Sequence, residues 1–304
     1  MRLSTRLGKL RLDNPLMLAS GIWGVSKESI GRVLAAGAGG AVIKSISREP
    51  REGHPNPAVI QHGDYLINAI GYANQGMEDA RMEFSELKKL KRPVIASAIG
   101  KTPEDFALVV GHLTEGNDFS AVELPLSCPH TPGYGTLAGQ TTPDNTYRIT
   151  AAVRDVTKLP LFIKLSPNSE GIGEAAKAAQ EAGADGITMG NSLGPGMRIN
   201  IETRRPVMGF GLGGVSGPAI FPVLLRCVSD VYKAVDIPVI GCGGVSSGKD
   251  AIEMMMAGAH AVQLGSAIYY HGLEVFGDAL QEMRQWMGQN GYSSVKRLIG
   301  AVHG

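Results

Sequence analysis

The chain has 304 residues, 43% hydrophobic and 19% charged, with a formal net charge of +1; that is ample apolar material for a core and too little charge for a polyanion-binding surface. No apolar run reaches the ~18 residues of a membrane span, and the opening Met1-Arg2-Leu3-Ser4-Thr5-Arg6 lacks the apolar centre of a signal peptide, so a cytoplasmic protein is expected. Cys128, Cys227 and Cys242 are too few and too widely spaced for a disulfide framework or a Cys-x-x-Cys site, and the histidines show no ligand spacing, so no metal site is expected.

Taken in order, residues 1–15 hold two short polar–apolar pieces joined near Gly8, a candidate hairpin under the fold. Short apolar runs then alternate with helix-like stretches. Strands are expected at 16–20, 41–45, 94–98, 121–124, 161–165, 186–189, 239–241 and 261–264. Helices are expected at 27–36, 77–90, 103–113, 144–157, 173–182, 218–235, 249–257 and 274–287. The strands carry little internal polarity, as strands covered on both faces do. Ala36-Gly37-Ala38, Ala182-Gly183-Ala184 and Ala257-Gly258-Ala259 repeat one device, a helix stopped by glycine before the next strand. Eight β-then-α units predict a parallel (β/α)8 TIM barrel, a single domain over 1–304, with a doubly wound sheet as the alternative. Two segments exceed the repeat, 46–76 and 190–217. Both leave strand C-termini, so both are expected as long loops over the C-terminal face, where barrel sites form.

The polar residues gather at those strand ends. Ser20, Lys44-Ser45, Ser97, Cys128, Lys164, Asn191-Ser192, Gly243-Gly244 and Gly265-Ser266 all qualify. Cys128, in Ser127-Cys128-Pro129-His130, is placed to act as a base or nucleophile, and a buried structural cysteine is the alternative. Lys44 and Lys164 close apolar strands, where an anionic ligand would offset their burial; solvated strand-end lysines are the other reading. The glycine-rich ends of the last two strands match the usual phosphate site of a barrel, formed by bare backbone N–H groups and a helix N-terminus, and tight packing turns give the same pattern. Gly209-Phe210-Gly211-Leu212-Gly213-Gly214 matches G-x-G-x-x-G, but no buried strand leads into it, and it reads as a loop ending at Gly217-Pro218.

Together these stretches resemble the flavin-dependent dihydroorotate dehydrogenases, most closely the class 1 NAD-linked (1B) catalytic subunit, over essentially the whole chain. The resemblance is carried by Asn14-Pro15 to Ser20-Gly21, Lys44-Ser45, Asn68-Ala69-Ile70-Gly71-Tyr72, Ser127-Cys128-Pro129, Ile163-Lys164-Leu165-Ser166-Pro167-Asn168, Asn191-Ser192-Leu193, Gly213 to Pro218, Gly241 to Val245 and Gly265-Ser266. It implies FMN at the barrel mouth, its phosphate near Gly243, Gly244, Gly265 and Ser266, and Ser20, Lys44, Ser45, Lys164 and Gly217 around the rest. It implies a substrate held by Lys44, the Asn68, Ala69, Ile70, Gly71, Tyr72 loop, Asn191 and Ser192, with Cys128 as the base. The implied reaction is oxidation of dihydroorotate to orotate in pyrimidine biosynthesis. Electrons would leave through a separate subunit carrying FAD and a [2Fe–2S] cluster and pass to NAD, in a homodimer or heterotetramer, with no nucleic acid or membrane partner. Two positions depart from the family's Asn-x-Ser-Cys-Pro-Asn: Pro125 and His130 stand where asparagines are usual, and Ser97 replaces a third. These departures keep open an FMN-dependent enzyme acting on another pyrimidine, as dihydropyrimidine dehydrogenases do.

Overall fold

A computed structural model describes residues 1–127, 133–135 and 139–304. The chain opens with an antiparallel hairpin, β1 (Thr5–Leu7) and β2 (Leu10–Leu12). Eight parallel strands follow: β3 (Leu16–Leu18), β4 (Gly40–Val42), β7 (Val94–Ser97), β8 (Ala121–Pro125), β9 (Leu161–Leu165), β10 (Gly186–Met189), β15 (Val239–Cys242) and β16 (Ala259–Leu264). They close in the order β10-β15-β16-β3-β4-β7-β8-β9, which is the expected (β/α)8 barrel and rules out the doubly wound sheet.

The helices on its outside start where the sequence offers caps. Ser26 caps α1 (Lys27–Ala35) and Ser247 caps α7 (Gly248–Met256), each in a reciprocal capping box. Thr102 and Thr142 cap α3 (Pro103–Thr114) and α4 (Pro143–Val156), each with proline in the first turn. The remaining helices are α2 (Gly76–Glu83), α5 (Ile172–Glu181), α6 (Phe221–Ala234), α8 (Ala267–His271) and α9 (Val275–Gln289). The three Ala-Gly stops behave as expected: Gly37, Gly183 and Gly258 take positive φ just past their helices. The helix expected over 77–90 does not run through. Glu86 adopts left-handed backbone, which breaks the i→i−4 ladder, and Leu87–Leu90 resume as a 3-10 turn. The segment expected as one helix from Pro218 likewise begins with a 3-10 turn, Pro218–Ile220, before α6.

The two long excursions fold on each other. The first supplies the hairpin β5 (Val59–His62) and β6 (Tyr65–Asn68); the second supplies β11 (Leu193–Gly196) and β14 (Gly213–Ser216). These four form an antiparallel sheet, β11-β14-β6-β5, with Asn68 paired to Gly214. A short ribbon, β12 (Ile199–Asn200) with β13 (Arg205–Pro206), extends from the second excursion. The G-x-G-x-x-G segment is therefore only partly a loop, since its last two glycines begin β14.

Strand alternation divides the core. One set of side chains, including Leu16, Ile43, Val122, Ile163, Ile187 and Val262, packs outward under the helices. The other set faces the lumen, where Met17, Val42, Ile95, Ala121, Phe162, Ile240 and Ala261 form one apolar cluster with Leu7, Leu10 and Leu12 of the N-terminal hairpin. The hairpin thus plugs the bottom of the barrel, as its position in the sequence suggested. Leu12 is fully buried there, while its neighbour Arg11 is exposed. Replacing Leu12 with alanine should lower unfolding stability by about 2–5 kcal/mol, and Arg11→Ala should change it by less than about 0.5 kcal/mol. Denaturant midpoints of the two variants test the plug; equal, small shifts would show that the hairpin bears no core packing.

Candidate active site

Two residues above the apolar layer, the next lumen-facing position is polar on most strands, β3 with Ala19 being an exception. Ile95 leads to Ser97, Ala121 to Glu123, Phe162 to Lys164, Gly186 to Thr188, Ile240 to Cys242 and Ala261 to Gln263. These side chains join across the lumen. β8 and β16 are not neighbours in the barrel, yet Gln263 Nε2 donates to Glu123 Oε2 at 2.6 Å. Thr188 Oγ1 donates to the same oxygen at 2.8 Å, and Lys164 Nζ donates to Gln263 Oε1 at 2.9 Å. Lys164 Nζ also lies 3.7 Å from Glu123 Oε1. Glu123 is fully buried and Lys164 is 4% exposed, so this is a desolvated, hydrogen-bonded ion pair. Burial alone would push the Lys164 amine down, but the facing Cys242 sulfur and Glu123 carboxylate outweigh it and hold the ammonium above the ordinary lysine range. Burial pushes the Cys242 thiol up against the pull of Lys164, so it stays protonated at neutral pH.

Above this floor lies a cavity of about 690 Å3 at the C-terminal mouth, within the usual range for a small-molecule site. Lys164, Lys44, Ser45 and Ser20 line its base and one wall, with the Ser20, Ser45 and Ser97 hydroxyls in a chain of 3.0 Å contacts. Both lysines are buried, which removes the solvated reading. The opposite wall comes from the antiparallel sheet and its connections: Asn68, Ile70, Gly71, Tyr72, Asn191 and Ser192. Asn68 Nδ2 donates to Ser192 Oγ at 3.2 Å and to the Gly214 carbonyl at 3.1 Å, which ties the two excursions at the cavity edge. Asn168 reaches from the end of β9 to the Ser192 carbonyl and the Gly194 N–H, bracing the same wall.

A smaller pocket of about 90 Å3 adjoins the main cavity and shares Lys164, Gly265 and Ser266, among others, with it; Gly243, Gly244 and Cys242 are among the residues that line it alone. Gly243 and Gly244 have φ of 114° and 77°, and a Cβ on either would press into Leu224 or Phe221 at 2.8 or 2.7 Å. Gly265 differs, because a Cβ there would make only ordinary contact with Ala19, at 3.5 Å. The start of α7, which follows Gly243 and Gly244 in the chain, has its N–H groups paired within the protein. Asp250 accepts from the Ser246 and Ser247 N–H groups and Glu282 from the Gly248 N–H, so α7 is capped by protein carboxylates.

Most of the residues singled out in the sequence meet at this mouth. Ala69 and Gly217 do not line either cavity: Ala69 is buried with Ile67 and Met208, and Gly217 turns the chain from β14 into the following 3-10 turn. Cys128 and His130 lie outside the described residues. Ser127, which precedes Cys128, is fully buried and accepts a 2.7 Å hydrogen bond from Asn191 Nδ2. Buried Gln140 donates to the Gly100 carbonyl and accepts from the Gly135 N–H. Pro125 lines the main cavity, where it offers no hydrogen-bond donor. The residues that sequence reading missed are Glu123, Thr188 and Gln263. Their signal was present as a polar residue two positions after an apolar lumen residue, but it was hidden within runs read as uniformly buried. Among the described residues no group of three or more His, Cys, Asp or Glu could hold a metal ion, and no helix is long and apolar enough to cross a membrane.

A family model for dihydroorotate dehydrogenase matches residues 2–287. The chain is 44% identical over 302 residues to a protein of Methanothermobacter thermautotrophicus named dihydroorotate dehydrogenase B (NAD(+)), catalytic subunit, covering 99% of this chain and 98% of that one. A Pyrococcus abyssi protein of the same name is 43% identical over 298 residues, 98% of each chain. Another from Methanocella arvoryzae is 46% identical over 269 residues, 88% of each. A match of this extent, on a closed barrel whose mouth gathers the lysines, serines and asparagines described above, places the chain in the dihydroorotate dehydrogenase family.

Proposed function

We propose that this chain, like the relatives named dihydroorotate dehydrogenase, acts on dihydroorotate, and that it binds FMN at the barrel mouth and forms orotate in pyrimidine biosynthesis. The observation that carries the reading is the buried Lys164 ammonium facing a cavity that opens onto a glycine-lined side pocket. A flat ring system over the lysine with a phosphate reaching the side pocket suits that shape and charge. Gly243, Gly244, Gly265 and Ser266 would hold the phosphate, and Ser20, Lys44, Ser45 and Lys164 the remainder. When bound, FMN would supply the acceptor for the hydride leaving C6 of the substrate.

The chain's own residues do the rest. Asn68, Tyr72, Asn191 and Ser192 line one wall of the cavity and offer amide and hydroxyl groups to a substrate ring. Cys128 removes the C5 proton as a thiolate. An unperturbed thiol ionises at a pH of about 8.5, so modest tuning suffices near neutrality. Lys164 would put positive charge beside the acceptor, where negative charge would grow as it takes the hydride. The antiparallel sheet covers one side of the mouth and limits water. Neither Pro125 nor Ser97 provides the amide that the family pattern has at those positions, so substrate readout falls on the Asn68 and Asn191 side. The names of the relatives favour dihydroorotate over another pyrimidine.

Since those relatives are named catalytic subunits, we infer that electrons leave through a second subunit with FAD and a [2Fe–2S] cluster and reach NAD, in the cytoplasm.

Two measurements test this reading. The purified chain should be yellow with bound FMN and should bleach anaerobically on adding dihydroorotate; colourless protein that takes up no FMN, or bleaching only by a different dihydropyrimidine, would overturn it. Cys128→Ser should slow that bleaching by about 10²–10⁴-fold while dihydroorotate binding changes little, and the wild-type rate should rise with pH as the thiol ionises. An unchanged rate in the serine variant would remove Cys128 as the base.

A further inference from the structure

Glu123 sits at the centre of the barrel with no solvent exposure, and the chemistry proposed above does not touch it. Its surroundings are specified on every side. Gln263 must turn its amide oxygen to Lys164, because only that orientation lets its NH2 group donate to Glu123 Oε2. Thr188 adds a second donor to Oε2, and Oε1 faces Lys164 with no hydrogen-bond partner. Two donors and a facing ammonium are the partners that carboxylate oxygens accept from. Lys164, in turn, has three N–H groups and lines both the main cavity and the side pocket.

At neutral pH the other groups facing Lys164 supply no negative charge, although an ionised Cys242 would. Cys242 on β15 is a protonated thiol at neutral pH, and Lys44 is a second cation on the wall of the same cavity. A buried ammonium with only those neighbours would shed its proton. We propose that Glu123 is a positioning residue: through Thr188 and Gln263 it is locked beneath Lys164, and it keeps that ammonium charged and fixed at the cavity floor against the ligand's developing negative charge. The inference rests on the FMN reading above.

Sulfite is a suitable probe, because its addition to a bound flavin leaves negative charge on the ring and needs no turnover. Glu123→Gln should weaken sulfite binding to the FMN-loaded protein at least tenfold at pH 9, and its affinity should begin to fall at a lower pH than in the wild type. Thr188→Val removes one donor to the carboxylate and should move both readouts the same way by a smaller factor. It serves as the test if the glutamine variant does not fold. Identical affinity and pH profile in the folded variants, or tighter sulfite binding at every pH, would overturn the inference. A wild-type protein that takes up no FMN would overturn the flavin reading and this inference with it, whereas a loaded wild type beside an indifferent variant would overturn this inference alone.

Discussion

A charged pair placed in the lumen of a closed barrel constrains everything around it. Glu123 and Lys164 come from adjacent strands, but the bridge that satisfies them, Gln263, comes from the far side of the barrel, and Thr188 comes from a third direction. The desolvation of two such charges is offset only when their geometry and hydrogen bonds are good. That geometry exists only once the ring of strands has closed. The ion pair is therefore a poor source of stability and a demanding one of register. The apolar layer beneath it, sealed from below by the N-terminal hairpin, supplies the packing that fixes the register.

The same layering explains why the site is at the mouth. Along most strands the lumen changes from apolar to polar in a single step of two residues, and the next step opens into the cavity. The cation on the floor, the serine chain at one wall and the glycine-lined pocket at the side are thus stacked in depth rather than spread along a surface. What faces them from above is built differently. The two excursions after β4 and β10 lie far apart in sequence, and their pairing as one antiparallel sheet brings Asn68 and Ser192 within hydrogen-bond distance. A rigid parallel barrel thereby carries a wall whose strands answer to other rules of pairing.

Much of this was legible before any coordinates. The eight β-then-α units and the glycine helix stops are local signals, and local signals survive into the fold. The strand-end positions of Lys44, Lys164, Asn191 and Gly243–Gly244 were legible for the same reason, since they punctuate apolar runs. Glu123, Thr188 and Gln263 were missed because each sits inside such a run, where a polar residue reads as noise until one knows which face is lumen. The N–H groups at the start of α7 are paired with its own Asp250 and the distant Glu282, which no local pattern announced.

The amino-acid sequence by itself determined the barrel, the order of its units and the set of groups at its mouth, because periodicity, capping and chain punctuation act over a few residues. Tertiary structure alone decided which groups meet. Closure of the barrel brought β16 across from β8 so that Gln263 could bridge Lys164 and Glu123, and the pairing of two remote excursions made a single wall. Contacts between residues 99, 124 or 140 positions apart depend on the global path of the chain, and no local pattern encodes them.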